Sequence, residues 1–561
     1  MTVIDELIEE FADLDQREAN QLLDELGRTL PKLPESVYDK ANLVPGCQSR
    51  VWMVNTLSSD GKLQIQADSD AIVVKGLVYL LLEIYVGKTP EEALALDYVD
   101  TFDQFGLSRL ITPQRKNGLF SMVNAIRDFS AKAAGGQAGS IAAKKPGKKL
   151  DAEPTRSIVG IESEFPILTR ELPNGRRPVF LDSGASAQKP ACVIDAQREV
   201  EEQYYANAFR GRYYFGQRVD DAIEGTRAAA ANLIGAQRAE EIVFTSGTTM
   251  SINLVAAAWG RKNLSPGDEV LITEMEHHAN FVPWQSVCKQ QGATLRIIPV
   301  ANGELDLSDI DSLINAKTKM VAVCTMSNVL GTINPIDKIV AAAHNVGAVV
   351  LADAAQSVAH QKVNVAAEEI DFFAFSGHKL YGPSGIGILY GRYDLLEAMD
   401  PFMFGGHMIQ TVGAKESTWA LPPAKLEAGT MPITQIAGLG AAIDFVQSIG
   451  FDAIAAHEHK LLETMHQQLE KIDGLTIHGP SLDRKGAIAS FSIESVSTED
   501  LAIRLDDDGV FTRHGNHCAM VLHEKLGVAA TTRASIGLYN TMDDVSALAN
   551  SVQNAANQIR R

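Results

Sequence analysis

The chain has 561 residues, more than one hydrophobic core ordinarily spans, so we expect two or more domains. Its composition, 45% hydrophobic and 21% charged, is typical of a soluble globular protein. The formal net charge of −20 argues against nucleic-acid and anionic-membrane partners, because either partner favours a basic surface.

The cysteines are odd in number and widely spaced, at Cys47, Cys192, Cys288, Cys324 and Cys518. Since the sequence has no CxxC pair and no Cys/His cluster, we expect no metal site and free thiols in a reducing compartment. The acidic N-terminus lacks the patterns of signal and transit peptides, which predicts a cytoplasmic protein.

The most apolar run, residues 71–86, contains Lys75 and Glu83. It is also shorter than the roughly 20 residues that a membrane span needs. We therefore interpret it as a buried helix.

The N-terminal segment predicts a small α+β domain. Apolar residues recur at helical spacing over residues 4–11, 16–30 and 115–132. Residues 51–56 and 63–67 alternate like two strands joined by a turn at 58–61. Asp70 is placed to cap the helix that follows.

A change of composition marks the end of this domain. Residues 133–156 are rich in Gly, Ala and Lys and have no apolar periodicity, which is typical of a flexible linker with a reach of roughly 25–30 Å. We predict domains at residues 1–132 and 157–561, separated by this linker.

The second segment alternates short apolar strands with helical patterns, which predicts an α/β domain with a mostly parallel, seven-stranded sheet. From about residue 450, a helix and two strands near 487–493 and 535–538 suggest a smaller α+β lobe. The seven strands are predicted at residues 241–245, 269–273, 294–300, 320–325, 348–352, 371–375 and 387–390.

Three features of this segment indicate a cofactor site at the carboxyl edge of the sheet. Lys379 follows one predicted strand, and Asp353 ends another. Ligands of open α/β sheets bind at that edge, where a buried carboxylate can keep a pyridinium nitrogen protonated. Residues 245–249, Thr-Ser-Gly-Thr-Thr, join a strand to a helix N-terminus, where an anion such as phosphate is favoured.

From about residue 179 to residue 540 the sequence resembles fold-type I pyridoxal-phosphate enzymes, most closely the SufS-type cysteine desulfurases. The matching stretches occur in family order and cover most of the domain. They are LDSGASAQKP (181–190), FTSGTTMSINLVA (244–256), MEHHANFVPW (275–284), SNVLGTINPI (327–336), DAAQSVAH (353–360), SGHKLYGPSGIGILY (376–390), EAGT (427–430), RHGNHCA (513–519) and RASIGLYN (533–540).

The resemblance implies a role for each matching residue. Lys379 would hold pyridoxal 5'-phosphate as a Schiff base, Asp353 would pair with the ring nitrogen, and His277 would stack on the ring. Arg513 and Arg533 would grip the carboxylate of L-cysteine, which suits the planar guanidinium fork. The other implied cofactor contacts are Gln356 and Asn328 to the ring oxygen, and Thr248, Thr249, Ser376, His378 and Thr430 to the phosphate, Thr430 coming from the second subunit of a homodimer.

Cys518 is the candidate nucleophile. It lies among Arg513, His514 and His517, and positive neighbours favour a thiolate. Gly509 and Gly515 suit a loop. In the family the matching cysteine takes the substrate sulfur as a persulfide and releases alanine, while the lysine that holds the cofactor moves the Cα proton.

The N-terminal segment resembles the SufE-type sulfur acceptors over residues 1–130, through GCQSRVW (46–52), DSDAIVVKG (68–76) and TPQRKNGL (112–119). The resemblance implies that Cys47, at the tip of a Pro-Gly turn, accepts sulfur from Cys518. Gln48 and Arg115 would support its loop. The fused chain is then expected to supply sulfur for iron–sulfur cluster assembly and to pass it to scaffold proteins.

The chain departs from the family at several positions. Phe209 and Tyr213 stand where histidines are usual, which puts a proton-relay role of that segment in doubt. Gly184 replaces an alanine and His407 a small residue, and His514 and Asn516 alter the run before Cys518. None of these changes removes the lysine, the aspartate or the nucleophile.

Two alternatives stay open from the sequence. The same fold could act on selenocysteine instead of cysteine. The N-terminal domain could also dock or regulate the enzyme without accepting sulfur at Cys47.

Overall fold

The computed structural model describes residues 3–12, 14, 16–44, 49–96, 101–102, 104–105, 113–133, 156–209, 211 and 213–560. The chain divides into two compact units, Met1–Gly147 with Gln410–Thr418, and Lys148–Ile409 with Trp419–Arg561. The predicted linker lies almost entirely outside the described residues and stays a prediction.

The N-terminal unit is the predicted α+β domain. Its two strands pair antiparallel, in a register that runs from Val51 opposite Ser69 to Leu57 opposite Leu63. Its elements are α1 Val3–Phe11, α2 Gln16–Thr29, β1 Val51–Leu57, β2 Leu63–Ser69, α3 Ile72–Tyr85, α4 Pro90–Ala95 and α5 Pro113–Ala133.

Helices α2 and α3 pack so closely that their backbones touch. A Cβ added at Gly76 would overlap the carbonyl group of Leu23, so only glycine fits there. The apolar run predicted as a buried helix is α3, and its Leu77, Leu80 and Ile84 are almost completely buried. The domain core therefore forms against this helix.

The predicted cap of α3 is wrong. The helix begins after Ala71 without a side-chain cap. The Asp70 carboxylate instead accepts hydrogen bonds from the backbone N–H and the Nε of Arg50, at 2.9 and 2.8 Å. A charged donor across the strand pair outcompetes the neutral N–H groups of the helix end for this carboxylate.

The second unit is built on the predicted seven-stranded sheet, with strand order β4-β12-β11-β10-β9-β5-β6. Six strands run in one direction, and β12 runs in the opposite direction between β4 and β11. The strands that follow residue 156 in the chain are β3 Val179–Phe180, β4 Ile242–Thr245, β5 Glu269–Thr273, β6 Thr294–Ile298, β7 Val300–Ala301, β8 Glu304–Leu305, β9 Thr318–Cys324, β10 Val349–Asp353, β11 Phe372–Ser376, β12 Gly387–Gly391, β13 Ile409–Val412, β14 Ser417–Trp419, β15 Leu475–His478, β16 Ile488–Ile493, β17 Val510–Phe511, β18 Arg513–Gly515 and β19 Thr531–Ser535.

Helices cover both faces of this sheet, as the buried apolar strands require. Phe373 and Phe375 of β11 enter one apolar core, and Phe372 and Ala374 enter the other. The helices are α6 Ala191–Glu199, α7 Tyr214–Ile234, α8 Thr248–Val255, α9 Arg261–Asn263, α10 His278–Gln291, α11 Ile310–Leu313, α12 Ile336–Asn345, α13 Tyr393–Ala398, α14 Ile433–Ile449, α15 Phe451–Leu469, α16 Thr498–Asp507, α17 Met520–Leu526 and α18 Met542–Ile559.

The smaller lobe holds a four-stranded antiparallel sheet in the order β15-β16-β19-β18. The strand predicted at 535–538 is wrong by about four residues, because β19 ends at Ser535 and residues 536–538 continue as irregular chain. Strand β3 pairs with β17, and Asp182 bridges to Ser535. The LDSGASAQKP stretch thus runs beside the small lobe.

Within the described part of the chain, no single helix is long and apolar enough to cross a membrane. Helices α14 and α15 meet the length and composition criteria only when taken together, across a bend of 77°.

Candidate active site

A small cavity of about 60 Å³ lies at the carboxyl edge of the large sheet. Each element that lines it follows the end of a strand, as expected for an open α/β sheet. The cavity brings together eight of the residues that the sequence singled out, namely Thr248, Thr249, His277, Asn328, Asp353, Gln356, Ser376 and Lys379. His378, Thr430, Arg513, Arg533 and Cys518 are not among its lining residues.

Asp353 ends β10 and is buried. Its Oδ1 accepts a hydrogen bond from the backbone N–H of Ala355 at 2.9 Å. Burial raises the pKa of Asp353, whereas the Ala355 N–H and the charge of Lys379 act in the opposite direction. A cationic ring N–H facing this carboxylate would supply the partner charge that a buried carboxylate needs.

Lys379 lies on the single turn Gly377–Lys379 that follows β11. Burial lowers the pKa of its amine to about 8, and the negative charge of Asp353 limits the shift. The neutral amine, which is the nucleophilic form, is therefore well populated near neutral pH.

The opposite end of the cavity is suited to an anion. The backbone N–H of Thr248 donates to Ser376 Oγ at 2.8 Å, and the two hydroxyls share a hydrogen bond at 2.7 Å. Gly247 precedes the helix with φ +144°. This glycine allows the turn that points the N-terminus of α8 and its hydroxyls into the cavity, where a phosphate is favoured.

His277 is the N-cap of α10, and its Nδ1 accepts the backbone N–H of Ala279 at 3.0 Å. Burial lowers the pKa of His277 to about 4, and the charge of Lys379 adds to the effect. The ring is therefore neutral and held in one orientation, as a group that stacks on a flat ligand must be.

Glu276, next to His277, is a buried carboxyl that sequence reasoning missed. Its oxygens accept hydrogen bonds from Thr273 Oγ1, Asn280 Nδ2 and the backbone N–H of Cys324. Burial raises the pKa of Glu276 to about 7, despite these three donors. Through these hydrogen bonds Glu276 joins β5, α10 and β9. The only feature of the sequence that could have pointed to it is the matching stretch at residues 275–284.

Asp182 is the second residue that sequence reasoning missed. Its carboxylate binds both predicted substrate arginines, with Arg513 Nη2 at 2.9 Å and Arg533 Nη2 at 3.1 Å. Arg533 is buried and also donates to the backbone oxygen of Asn328 at 2.8 Å. The two guanidinium groups are thus brought together by one carboxylate from a strand end more than 300 residues earlier in the chain.

Gly184, one of the departures from the family, lies against Arg533. A Cβ at this position would come within 3.3 Å of Arg533 Cζ and 3.2 Å of Ser535 Oγ. The Gly184 carbonyl accepts a hydrogen bond from Gln356 Nε2 at 2.8 Å. The glycine therefore leaves room for the arginine and at the same time orients a residue of the cavity.

Cys518 is exposed and follows β18. His517 and Cys518 both have left-handed backbone conformations, with φ values of +50° and +58°. Such a conformation costs a residue other than glycine roughly 1–2 kcal/mol. It is held by hydrogen bonds to consecutive carbonyls, from Asn328 Nδ2 to His517 O and from the backbone N–H of His278 to Cys518 O, both at 2.7 Å.

One sequence expectation about Cys518 is wrong. His517 was counted among the positive neighbours, but burial, followed by the charge of Arg533, lowers the pKa of His517 to about 2. His517 is therefore neutral at every physiological pH. The positive charge near Cys518 comes from Arg513, Arg533 and Lys379, and the interaction with Cys518 acts to raise the pKa of each of these groups.

Two other departures from the family contact each other. The rings of Phe209 and His407 stack at 4.2 Å with an angle of 9° between their planes. Both residues have positive φ, and the Phe209 N–H donates to the buried Asp220. Phe209 and His407 thus form one packing unit, while Arg210 and Arg212 lie outside the described residues.

The other described cysteines are less accessible. Cys288 and Cys324 are buried and Cys192 is half-buried. Burial raises the pKa of all three thiols, that of Cys288 to about 11.

Cys47 and Gln48 lie outside the described residues, as does the side chain of Arg115. The described chain on either side of residues 45–48 is well anchored. Arg50 binds Asp70, and Asp68 accepts hydrogen bonds from Tyr38 at 2.7 Å and from Lys75 at 2.8 Å.

Both parts of the chain match known families. Residues 179–548 match the family described as "Aminotransferase class-V", and residues 5–130 match the SufE family, described as "Fe-S metabolism associated domain". A probable cysteine desulfurase of Halalkalibacterium halodurans is 47% identical over 70% of this chain and 96% of its own length. A cysteine desulfurase of Dickeya dadantii is 46% identical over 69% of this chain and 94% of its own length.

The fold agrees with these similarities. The crystal structure of the cysteine desulfurase CsdA from Escherichia coli matches with a TM-score of 0.66 and 36% identity. The match covers 72% of this chain and 99% of that structure.

The sheet, the cavity with its half-buried lysine and buried aspartate, and these matches define a pyridoxal-phosphate-dependent enzyme of the class-V aminotransferase type. The sequence resemblance predicted this class of enzyme, and the predicted fold class is confirmed. More specifically, the chain belongs to the cysteine desulfurase family and carries a SufE-type domain fused on its N-terminal side. This pairing of domains supports a part in sulfur mobilisation for iron–sulfur metabolism.

Proposed function

We propose that the protein converts L-cysteine to L-alanine and holds the released sulfur as a persulfide on Cys518. The observation that carries this proposal is the cavity that joins Lys379 to Asp353, together with the strained Cys518 loop bonded to the helix next to His277. Cys518 is also the exposed thiol among the described cysteines, which suits attack on a substrate sulfur.

The residues present fit pyridoxal 5'-phosphate. The amine of Lys379, with its lowered pKa, suits the aldehyde, and the buried carboxylate of Asp353 suits the ring nitrogen. The neutral ring of His277 suits the flat ring, and the helix N-terminus with its two threonines suits the phosphate. The cofactor supplies an electron sink that weakens the bonds at Cα and Cβ of the amino acid. Thr248, Thr249, Ser376 and His378 are proposed to hold its phosphate, and Gln356 and Asn328 its ring oxygen.

The chain's own residues carry the remaining steps. Arg533 and Arg513 bind the substrate carboxylate through a charge-assisted pair. Lys379 moves the Cα proton. The Cys518 thiolate attacks the substrate sulfur, so that an S–S bond forms and the Cβ–S bond breaks. The bonding pair stays on Cβ, which takes up a proton to give alanine, and no external oxidant is needed.

The second proposed step passes the sulfur to Cys47. The Cys47 thiolate attacks the outer sulfur of the Cys518 persulfide, one S–S bond replaces another, and Cys518 leaves as a thiolate. Fusion of the domains supports this step because it raises their mutual effective concentration. Scaffold proteins of iron–sulfur cluster assembly are the proposed recipients, and a homodimer in which Thr430 completes the partner's phosphate site is the proposed assembly.

Site-resolved mass spectrometry after one turnover with cysteine tests both steps. We expect a mass increase of one sulfur atom at Cys518 in the Cys47→Ala variant, and at Cys47 in the unaltered chain. Cys518→Ala should form neither persulfide. Cys288→Ala serves as the control, because this buried thiol is not expected to take up sulfur.

Two results would contradict the proposal. Alanine release at the normal rate by Cys518→Ala would exclude Cys518 as the nucleophile. A persulfide that forms on Cys518 and never reaches Cys47 would leave the desulfurase step intact and overturn the acceptor role.

A further inference from the structure

The backbone of Cys518 is strained, and three polar side chains lie directly behind it. His517 Nε2 lies 3.0 Å from Thr531 Oγ1, and His523 Nε2 lies 3.2 Å from the same oxygen. His523 Nδ1 lies 3.0 Å from the carbonyl oxygen of Ala519. Thr531 is completely buried on β19, and both histidine side chains are more than nine-tenths buried.

The direction of every hydrogen bond in this cluster follows from valence together with the lowered pKa values of the two histidines. A carbonyl oxygen only accepts, so His523 Nδ1 carries the proton that goes to Ala519 O. Burial lowers the pKa of His523, which makes the ring neutral and leaves Nε2 without a proton. His523 Nε2 therefore accepts the single hydroxyl proton of Thr531.

The Thr531 oxygen can then only accept from His517, so His517 Nε2 carries a proton. The neutral state of His517 requires that its Nδ1 carries none. That nitrogen is buried and has no hydrogen-bond partner among the described residues. The chain of donors consequently has one direction, from His517 through Thr531 and His523 to Ala519.

This series of hydrogen bonds reaches the residues on both sides of Cys518. His517 precedes Cys518 and Ala519 follows it, so the two ends of the chain hold the residues on both sides of the strained position. The carbonyls of His517 and Cys518 are held separately, by Asn328 and His278. Without the side-chain bonds, the two carbonyl contacts would hold the left-handed pair less firmly, and its relaxation would carry Sγ away from the substrate.

We propose that Thr531 and His523 are positioning residues, which fix the conformation of Cys518 for sulfur transfer through the directed chain His517–Thr531–His523–Ala519. The inference rests on the proposed role of Cys518 as the nucleophile. It concerns the sulfur-transfer step alone and leaves cofactor and substrate binding to other residues.

The test compares Thr531→Val with Thr531→Ser in the full-length, cofactor-loaded protein. Valine keeps the shape and removes the hydroxyl, whereas serine keeps the hydroxyl. Thr532→Val is the matched control, because the hydroxyl of this neighbouring buried threonine has no hydrogen-bond partner among the described residues. His523→Leu removes the last side chain of the hydrogen-bond series, and it replaces Thr531→Val in the test if that variant does not fold.

Two quantities are measured. One is the single-turnover rate at which sulfur appears on Cys518, and the other is the cysteine concentration that half-saturates the change in cofactor absorbance. We expect Thr531→Val to slow sulfur transfer about tenfold, which is about 1.4 kcal/mol of activation free energy. Half-saturation should stay within about twofold, and Thr531→Ser and Thr532→Val should transfer at nearly the unaltered rate.

The inference is overturned if Thr531→Val, or His523→Leu in its place, transfers sulfur as fast as the unaltered protein. It is also overturned if half-saturation and transfer deteriorate together, because that result indicates a general structural role. Failure of the unaltered protein to form a Cys518 persulfide would instead contradict the proposed function, so the two failures are distinguishable.

Discussion

The backbone N–H of His278 donates to the carbonyl oxygen of Cys518 over 2.7 Å. His278 is the first residue of α10, and His277 caps the same helix inside the cavity. In return, His278 Nε2 accepts the backbone N–H of Met520 at 3.2 Å. The loop of the proposed nucleophile and the ring proposed to stack on the cofactor are thus attached to one helix end, so their separation is fixed by the backbone.

Cofactor attachment should depend on pH with a midpoint near 8. The neutral amine of Lys379 reacts with an aldehyde, and burial lowers the pKa of this lysine to about 8 from the usual 10.5. The rate at which cofactor-free protein gains cofactor absorbance should rise from pH 6, reach half its maximum near pH 8 and level off above about pH 9. A rate that keeps rising to pH 10 would show that Lys379 titrates like an exposed lysine.

Replacing Asp353 with asparagine should slow alanine formation about 10²-fold or more, while the cofactor stays bound. The amide keeps the shape but removes the charge that is proposed to hold a proton on the ring nitrogen, and the loss of one preorganised electrostatic contact typically has this magnitude. Steady-state alanine release and the absorption spectrum check the prediction. Asp337→Asn, at an exposed position on α12, is the control. Equal rates of alanine formation in the two variants would contradict the prediction.

Asp182→Asn should weaken cysteine binding about tenfold or more and change the turnover number less. Asp182 orients Arg533 and Arg513, and a hydrogen bond to a charged group contributes about 1.5–3 kcal/mol. Since about 1.4 kcal/mol is a factor of ten, the cysteine KM should rise by that factor. An unchanged or lower KM would mean that Asp182 competes with the substrate carboxylate for the arginines.

Glu427→Gln should destabilise the large domain by about 3 kcal/mol. Glu427 and Arg227 form a buried ion pair at 2.7 Å, and the same carboxylate accepts the backbone N–H of Phe244 on β4. Removing one charge leaves the other buried without compensation. Chemical denaturation of the cofactor-loaded protein measures the change, and Asp195→Asn, which breaks an exposed pair with Arg198, should shift stability by less than about 1 kcal/mol.

The sheet and the cavity residues could be predicted because their signals are local. Each of the seven strands is a short, mainly apolar run. Asp353 ends one of these strands, and Lys379 lies on the turn that follows another. The stretches that match the family then assigned cofactor contacts to eight of the residues that line the cavity. The strand near 535 was misplaced because Ile536 and Leu538 are also buried and apolar, so composition alone does not distinguish strand from irregular core chain.

The errors and omissions have a common physical cause, namely partners that are distant in sequence. Asp182 meets its arginines across more than 330 residues, and no spacing pattern encodes that contact. Asp70 has the right position for a cap but a stronger partner in Arg50. His517 looks cationic in the sequence, and only its burial beside Arg533 shows that it is neutral.

The burial of Cys288 and Cys324 has a consequence for selectivity among thiols. Their raised pKa values keep both residues protonated and unreactive, while Cys518 is exposed. In the proposed mechanism these interior thiols cannot intercept sulfur on its way out of the active site. For the same reason, mild oxidants and alkylating reagents should modify Cys518 well before Cys288 and Cys324. Loss of activity on ageing in air would then result from oxidation of an exposed thiol and would leave the fold intact.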